Sequence, residues 1–180
     1  VCEHLKIEHA TIIGHSMGGY VALAFPYLYK AKVLRLVLFY STSLPDRKEK
    51  KEQRLKAAEI VVIHPIEFFT MSIPNLFADG IISNMQSEIK TAISWAKHAS
   101  LEGISAAIKG MRLRPDRTEV IRSIDKPILV VMGEFDTAIK NTDLIKNLEK
   151  IPKISFHTLP TGHMGTLEAP EESLTLIESW

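Results

Sequence analysis

Four short apolar runs set the strongest limit on how this chain can fold. Residues 10–14 (ATIIG), 33–39 (VLRLVLF), 127–132 (PILVVM) and 153–159 (KISFHTL) all have strand length. The first three are nearly apolar throughout, as expected of strands covered on both faces. Between the first two, Met17, Tyr20, Val21, Ala24 and Leu28 recur at helical spacing, so strand, helix and strand follow in order. Pro26 is expected to bend or shorten that helix. Residues 137–150 and 168–180 supply further helices after the third and fourth runs. Such alternation predicts an α/β fold, a parallel sheet with helices on its faces.

Residues 42–125 break the alternation. Ile82, Met85, Ile89, Ile93 and Ala96 form one helical stripe, and Leu101, Ile104, Ile108 and Met111 form another, with no strand signal between them. The expectation is an all-helical cap over 42–125, packed on the carboxyl edge of a core built from 1–41 and 126–180. Residues 46–54 (DRKEKKEQR) alternate charges in the manner of a solvated helix face.

With 180 residues the chain fits one domain with a continuous core. Hydrophobic residues at 46% and a net charge of +1 exclude a disordered chain and give no reason to invoke nucleic acid or an anionic membrane surface. No apolar run approaches the ~20 residues that span a bilayer. The single cysteine, Cys2, allows no intrachain disulfide and points to a reducing, cytoplasmic setting. Cys2 and His4 lack the further ligands of a zinc site, and no P-loop or G-x-G-x-x-G is present, so neither metal nor cofactor is expected.

The chemistry enters with Gly14, Ser16 and Gly18 in IIGHSMGG. A strand that turns sharply into a helix strains its central residue, and small neighbours let the turn close while Ser16 Oγ points outward. At a helix N-terminus the backbone N–H of Met17 can stabilise an oxyanion. A serine nucleophile needs a base, and the base needs an orienting carboxylate. Asp136 in VMGEFD follows the third run, and His163 in PTGHMG follows the fourth, both at the carboxyl edge. The order Ser, Asp, His is the one this architecture uses. Asp136 could instead cap the helix that follows it, and Glu134 is the rival carboxylate. His15 is expected to pack away from Ser16. His4, His9, His64, His98 and His157 show no metal-ligand pairing.

Taken together, GHSMGG, GEFD and GHMGTLEAPEE resemble the α/β-hydrolase family over residues 7–180. The likeness is nearest to small bacterial esterase-like members, including enol-lactone hydrolases and cofactor-free haloperoxidase or perhydrolase relatives. It implies Ser16 as nucleophile, Asp136 as acid, His163 as base, Met17 N–H as one oxyanion donor and the helical stretch as the cap. The expected activity is hydrolysis of a small apolar ester or lactone through an acyl-enzyme. The alternatives are slow-turnover ligand binding on the same scaffold and peracid chemistry. Cap residues Phe68, Phe69, Met71, Phe77, Trp95 and Met111 are candidates for the pocket wall. Family members carry strands and a second oxyanion donor before the nucleophile strand, whereas fifteen residues precede Ser16 here. The chain is therefore expected to be the later two thirds of a longer hydrolase, weakly active alone, with strand 10–14 on an open edge prone to self-association.

Overall fold

A computed structural model describes residues 2–29 and 32–180. Four parallel strands, β1 (Ala10–His15), β2 (Val33–Phe39), β3 (Ile128–Gly133) and β4 (Ile154–Leu159), pair in the order β1-β2-β3-β4. Helix α1 (Met17–Tyr29) joins β1 to β2, and α7 (Asn141–Leu148) joins β3 to β4. Two short helices, α8 (Gly165–Glu168) and α9 (Pro170–Ser179), end the chain. Between β2 and β3 every element is helical: α2 (Lys48–Ile63), α3 (Pro65–Ser72), α4 (Gln86–Lys97), α5 (Leu101–Leu113), α6 (Thr118–Ser123) and two 3-10 turns. No helix among the described residues is long and apolar enough to cross a membrane.

Alternating side chains along β2 and β3 divide between two cores. Leu36, Leu38, Ile128 and Val130 pack with Leu23 of α1, Ile121 of α6 and Leu144 of α7. On the opposite face Val37, Phe39, Leu129 and Val131 pack against Leu176, Ile177 and Trp180. A third cluster, centred on Val61, Phe69 and Ile108, belongs to the helical insertion alone. Helix α6 lies inside residues 42–125 but buries Val120 and Ile121 against the sheet, so that stretch does not pack as one unit.

Several sequence expectations meet corrections here. Strand β1 is not covered on both faces, since Thr11 is exposed and Ile13 is 50% exposed. Its outer edge pairs with no strand among the described residues. Pro26 lies inside α1, which runs three residues past it to Tyr29 with the proline buried. Placed in the last turns of the helix, it removes one hydrogen bond while adding apolar packing. The helix expected over 137–150 begins only at Asn141.

Within the charge run, which is largely exposed, Asp46 departs from a solvated face. The Asp46 side chain is 5% exposed and pairs with Arg54 of α2 and with Arg114 just beyond α5, whose Nη2 lies 2.9 Å from Asp46 Oδ1. Arg114 also donates to Leu44 O and Met111 O and stacks over Tyr20, 4.1 Å from the ring centroid. One carboxylate thus ties both ends of the insertion to α1. Burial by itself would raise the Asp46 carboxyl, but the hydrogen bonds and charges of the two arginines outweigh it and hold the group below its ordinary value.

At the β1–α1 junction the chain turns with little room. Ser16 N–H continues the ladder by donating to Phe39 O at 2.9 Å, and Ser16 then takes φ 51° before the helix starts. A Cβ on Gly14 would lie 2.4 Å from Gly18 O, and one on Gly19 would lie 2.2 Å from Ser41 Oγ. Gly18, by contrast, faces open space. The tight glycines are therefore Gly14 and Gly19, and the closing glycine of the G-x-S-x-G pattern is not required by packing.

Two stability predictions result. Gly14→Ala is expected to cost about 3 kcal/mol or more through backbone overlap, whereas Gly18→Ala, on a helix, should stabilise by up to about 1 kcal/mol. Urea denaturation compares them, and equal stability of the two variants would refute the packing argument. The depressed Asp46 carboxyl contributes stability that is fully present above its unfolded value and disappears as pH falls through the folded one. Asp46→Asn should accordingly cost about 3 kcal/mol at neutral pH, with the gap to the parent protein closing below about pH 4. A gap that stays constant with pH would contradict the assignment.

Candidate active site

The three predicted side chains come from three loops at the carboxyl edge of the sheet. Ser16 follows β1, Asp136 lies three residues beyond β3, and His163 lies four residues beyond β4. Ser16 Oγ and His163 Nε2 are 2.7 Å apart, and His163 Nδ1 is 2.8 Å from Asp136 Oδ2. A carboxylate only accepts, so Nδ1 carries the imidazole proton and Nε2 is left to accept from the Ser16 hydroxyl. The imidazole is buried, as is the Asp136 carboxylate that it faces. This row can remove the serine proton while holding the resulting imidazolium against a fixed negative charge.

Asp136 does not cap a helix, since α7 begins only at Asn141, but both of its carboxylate oxygens are engaged. Its Oδ2 faces His163, while its Oδ1 accepts from Ala138 N at 2.7 Å and Ile139 N at 3.0 Å. The same side chain therefore shapes the turn that presents it. Glu134, the rival, is exposed.

Met17 opens α1, so its N–H belongs to the first helical turn, where backbone donors have no intrahelical partner. Ser41 Oγ donates to Ser16 O at 2.7 Å, and Gly19 N donates to the same carbonyl at 2.9 Å, which braces the strained turn from both sides. His15 packs between Phe39, Tyr40 and His163, and its Nε2–H donates to His163 O at 3.2 Å. It packs, as expected, but directly against the His163 imidazole. Burial pushes its basicity down, which favours the neutral ring.

Tyr40 and Glu168 were missed by the sequence reading. Tyr40, at φ 49°, hydrogen-bonds through Oη to Thr161 Oγ1 at 2.6 Å, and burial pushes its phenol up to about 12. Glu168 accepts backbone N–H groups from Gly162 and Met164, on either side of His163. The available signal was the four-residue spacing from Met164 to Glu168 within GHMGTLE, which brings a carboxylate back over the start of a short helix.

Two clefts are lined by residues next in sequence to members of this row, Met17 in one and Thr137 in the other. One of about 450 Å³ is bordered by Met17, Tyr20, Val21, Met111 and Arg114. The other, of about 630 Å³, lies between the helical insertion and the loop after β3 and is bordered by Phe68, Phe69, Leu76, Met111 and Ala138. Of the six aromatic and methionine candidates, Phe68, Phe69 and Met111 therefore line a cleft. Met71 and Trp95 are 73% and 60% exposed, and Phe77 is buried beside Ala78.

Comparison with known proteins agrees with this architecture. A sequence profile described as alpha/beta hydrolase fold matches residues 1–58. A Bacillus subtilis relative, provisionally named a 2-succinyl-6-hydroxy-2,4-cyclohexadiene-1-carboxylate synthase, is 26% identical over 94% of this chain and 65% of its own length. A pyrrolizixenacetamide deacetylase of Xenorhabdus hominickii is 24% identical over 99% of this chain and 67% of its own. The chain thus spans about two thirds of the length of these curated relatives. A thermophilic esterase of Thermogutta terrifontis, solved with malate bound, superposes with a TM-score of 0.91 and 32% identity over 99% of this chain and 67% of that one. Sharing both backbone path and sequence with that esterase over two thirds of its length, this chain belongs to the alpha/beta-hydrolase family.

Proposed function

We propose that this chain carries the nucleophile, base and acid of a serine hydrolase that cleaves carboxylic esters or lactones through an acyl-enzyme. The observation that carries the reading is the unbroken row from Ser16 Oγ through the His163 imidazole to Asp136, with steps of 2.7 and 2.8 Å, set on a serine at φ 51°. Ser16 Oγ attacks the carbonyl carbon while its proton passes to His163 Nε2. Asp136 stabilises the imidazolium and keeps it in one tautomer. Negative charge that develops on the carbonyl oxygen falls toward Met17 N–H at the start of α1. Collapse of the tetrahedral intermediate expels the alcohol, which leaves with the proton from His163. Water then adds to the acyl carbon while losing a proton to the same nitrogen, and the bond to Ser16 Oγ breaks as that oxygen takes the proton back, releasing the acid.

Substrate class follows from the walls around this centre. The cleft beside Met17 is bordered mainly by apolar and aromatic side chains, which suits a modest apolar ester or lactone. The helical insertion acts in this reading as a cap, with Met111 bordering both clefts. Names among the relatives, an esterase and a deacetylase, fit acyl chemistry at one shared centre.

Reaction with a fluorophosphonate should label Ser16, and Ser16→Ala should abolish both the labelling and turnover of a nitrophenyl ester. Asp136→Asn, which disturbs the imidazole tautomer, is expected to lower turnover by about 10³–10⁴. Peptide mapping of the label and steady-state kinetics give the readouts. Turnover that survives in Ser16→Ala would end this reading.

A further inference from the structure

His163 sits in a loop between β4 and α8, and an imidazole on a loop is only as well placed as the backbone beneath it. Gly162 N–H donates to Glu168 Oε2 at 2.7 Å, and Met164 N–H donates to Glu168 Oε1 at 2.9 Å. Residues on both sides of His163 are thus held by one carboxylate. Ala78 N–H, from the helical insertion, donates to Oε2 as well, at 3.0 Å. The backbone of His163 is engaged too, with its N–H donating to Leu76 O at 2.7 Å and its carbonyl accepting from His15.

We propose that Glu168 is a positioning residue for the reaction: its carboxylate clamps the loop on either side of His163 and ties that loop to the insertion at Ala78, so that the imidazole spans Ser16 and Asp136 before any substrate binds. Glu168 touches neither Ser16 nor Asp136 through any hydrogen bond among the described residues, and it acts through the placement of His163. The inference rests on the serine hydrolase reading for its effect on rate, but the clamp itself is a matter of geometry. Only a carboxylate suits the site. Three N–H donors converge on two accepting oxygens, whereas a carboxamide offers one oxygen and would turn its own N–H groups toward a backbone donor. Gly162 leaves no slack for a shifted loop, since a Cβ there would lie 2.5 Å from Ala78 N. The insertion contributes two of the loop's hydrogen bonds, through Leu76 O and Ala78 N–H, so its packing is coupled to the imidazole as well as to the cleft.

The test uses the full chain with Glu168→Gln, which keeps the side-chain volume, and Glu168→Asp, which keeps the charge. Two quantities are read: the rate constant for phosphonylation of Ser16, and the downfield proton resonance of His163 Nδ1–H. Glu168→Gln should slow phosphonylation about 10–100-fold, the size of loss that follows from small misplacement of a catalytic group. The labelled end point should stay complete, and the resonance should weaken or vanish through faster exchange. Glu168→Asp should recover part of both. A merely structural role would lower the folded fraction without changing the rate constant of the folded remainder. Unchanged rate and resonance in a folded Glu168→Gln protein would overturn the proposal. So would free hydrogen exchange at the Gly162 and Met164 amides in the unaltered protein, a measurement that needs no variant. If the unaltered protein resists phosphonylation while the resonance responds to Glu168 as described, the hydrolase reading fails and the clamp stands.

Discussion

In a parallel sheet every strand ends on the same side, and the site depends on that constraint. Ser16, Asp136 and His163 are separated by 120 and 27 positions in sequence, yet each follows a strand whose register is locked to its neighbour. His15 pairs with Phe39, so β1 and β2 end together, while β3 and β4 run two residues beyond the Phe39–Val131 pair and end together at Gly133 and Leu159. The loops need to travel only a few residues to bring three functional groups into one row. Strand β2 contributes no member of that row, but its end supplies Tyr40 and Ser41, which support the His163 loop and the Ser16 turn from below.

The second requirement is rigidity at the two sharpest points. At Ser16 the backbone is held in the left-handed region by Gly14, Gly19 and Ser41 packed around it. Around His163 it is held by Glu168, His15 and Leu76. Strain in a backbone persists when its surroundings over-determine it, and Ser16, at φ 51°, meets that description. Asp136 needs less help because the carboxylate oxygen not facing His163 is spent on its own turn.

Much of this was legible in the sequence. All four strands lie within one or two residues of the apolar runs, and for β2 and β3 the reason is that a strand buried in a parallel sheet can carry little else. Ser16, Asp136 and His163 were legible because the chemistry demands an order and a position at strand ends. What escaped depends on distant partners. Asp46 looked solvated because Arg114, which helps to bury it, lies 68 residues away. Gly18 looked essential because a motif does not say which of its small residues has a neighbour. The six aromatic and methionine candidates divided three ways because helical spacing identifies a face without saying what covers it. Glu168 read as the start of a final helix, since its partners are main-chain groups and only its spacing from Met164 hints at them.

The most direct measurement is a crystal structure of the protein after reaction with a small phosphonate ester. The account predicts phosphorus bonded to Ser16 Oγ, one phosphonyl oxygen directed at Met17 N–H, and His163 still seated against Asp136. Phosphorus on a different side chain, or on Ser16 with the imidazole swung away from both partners, would contradict it.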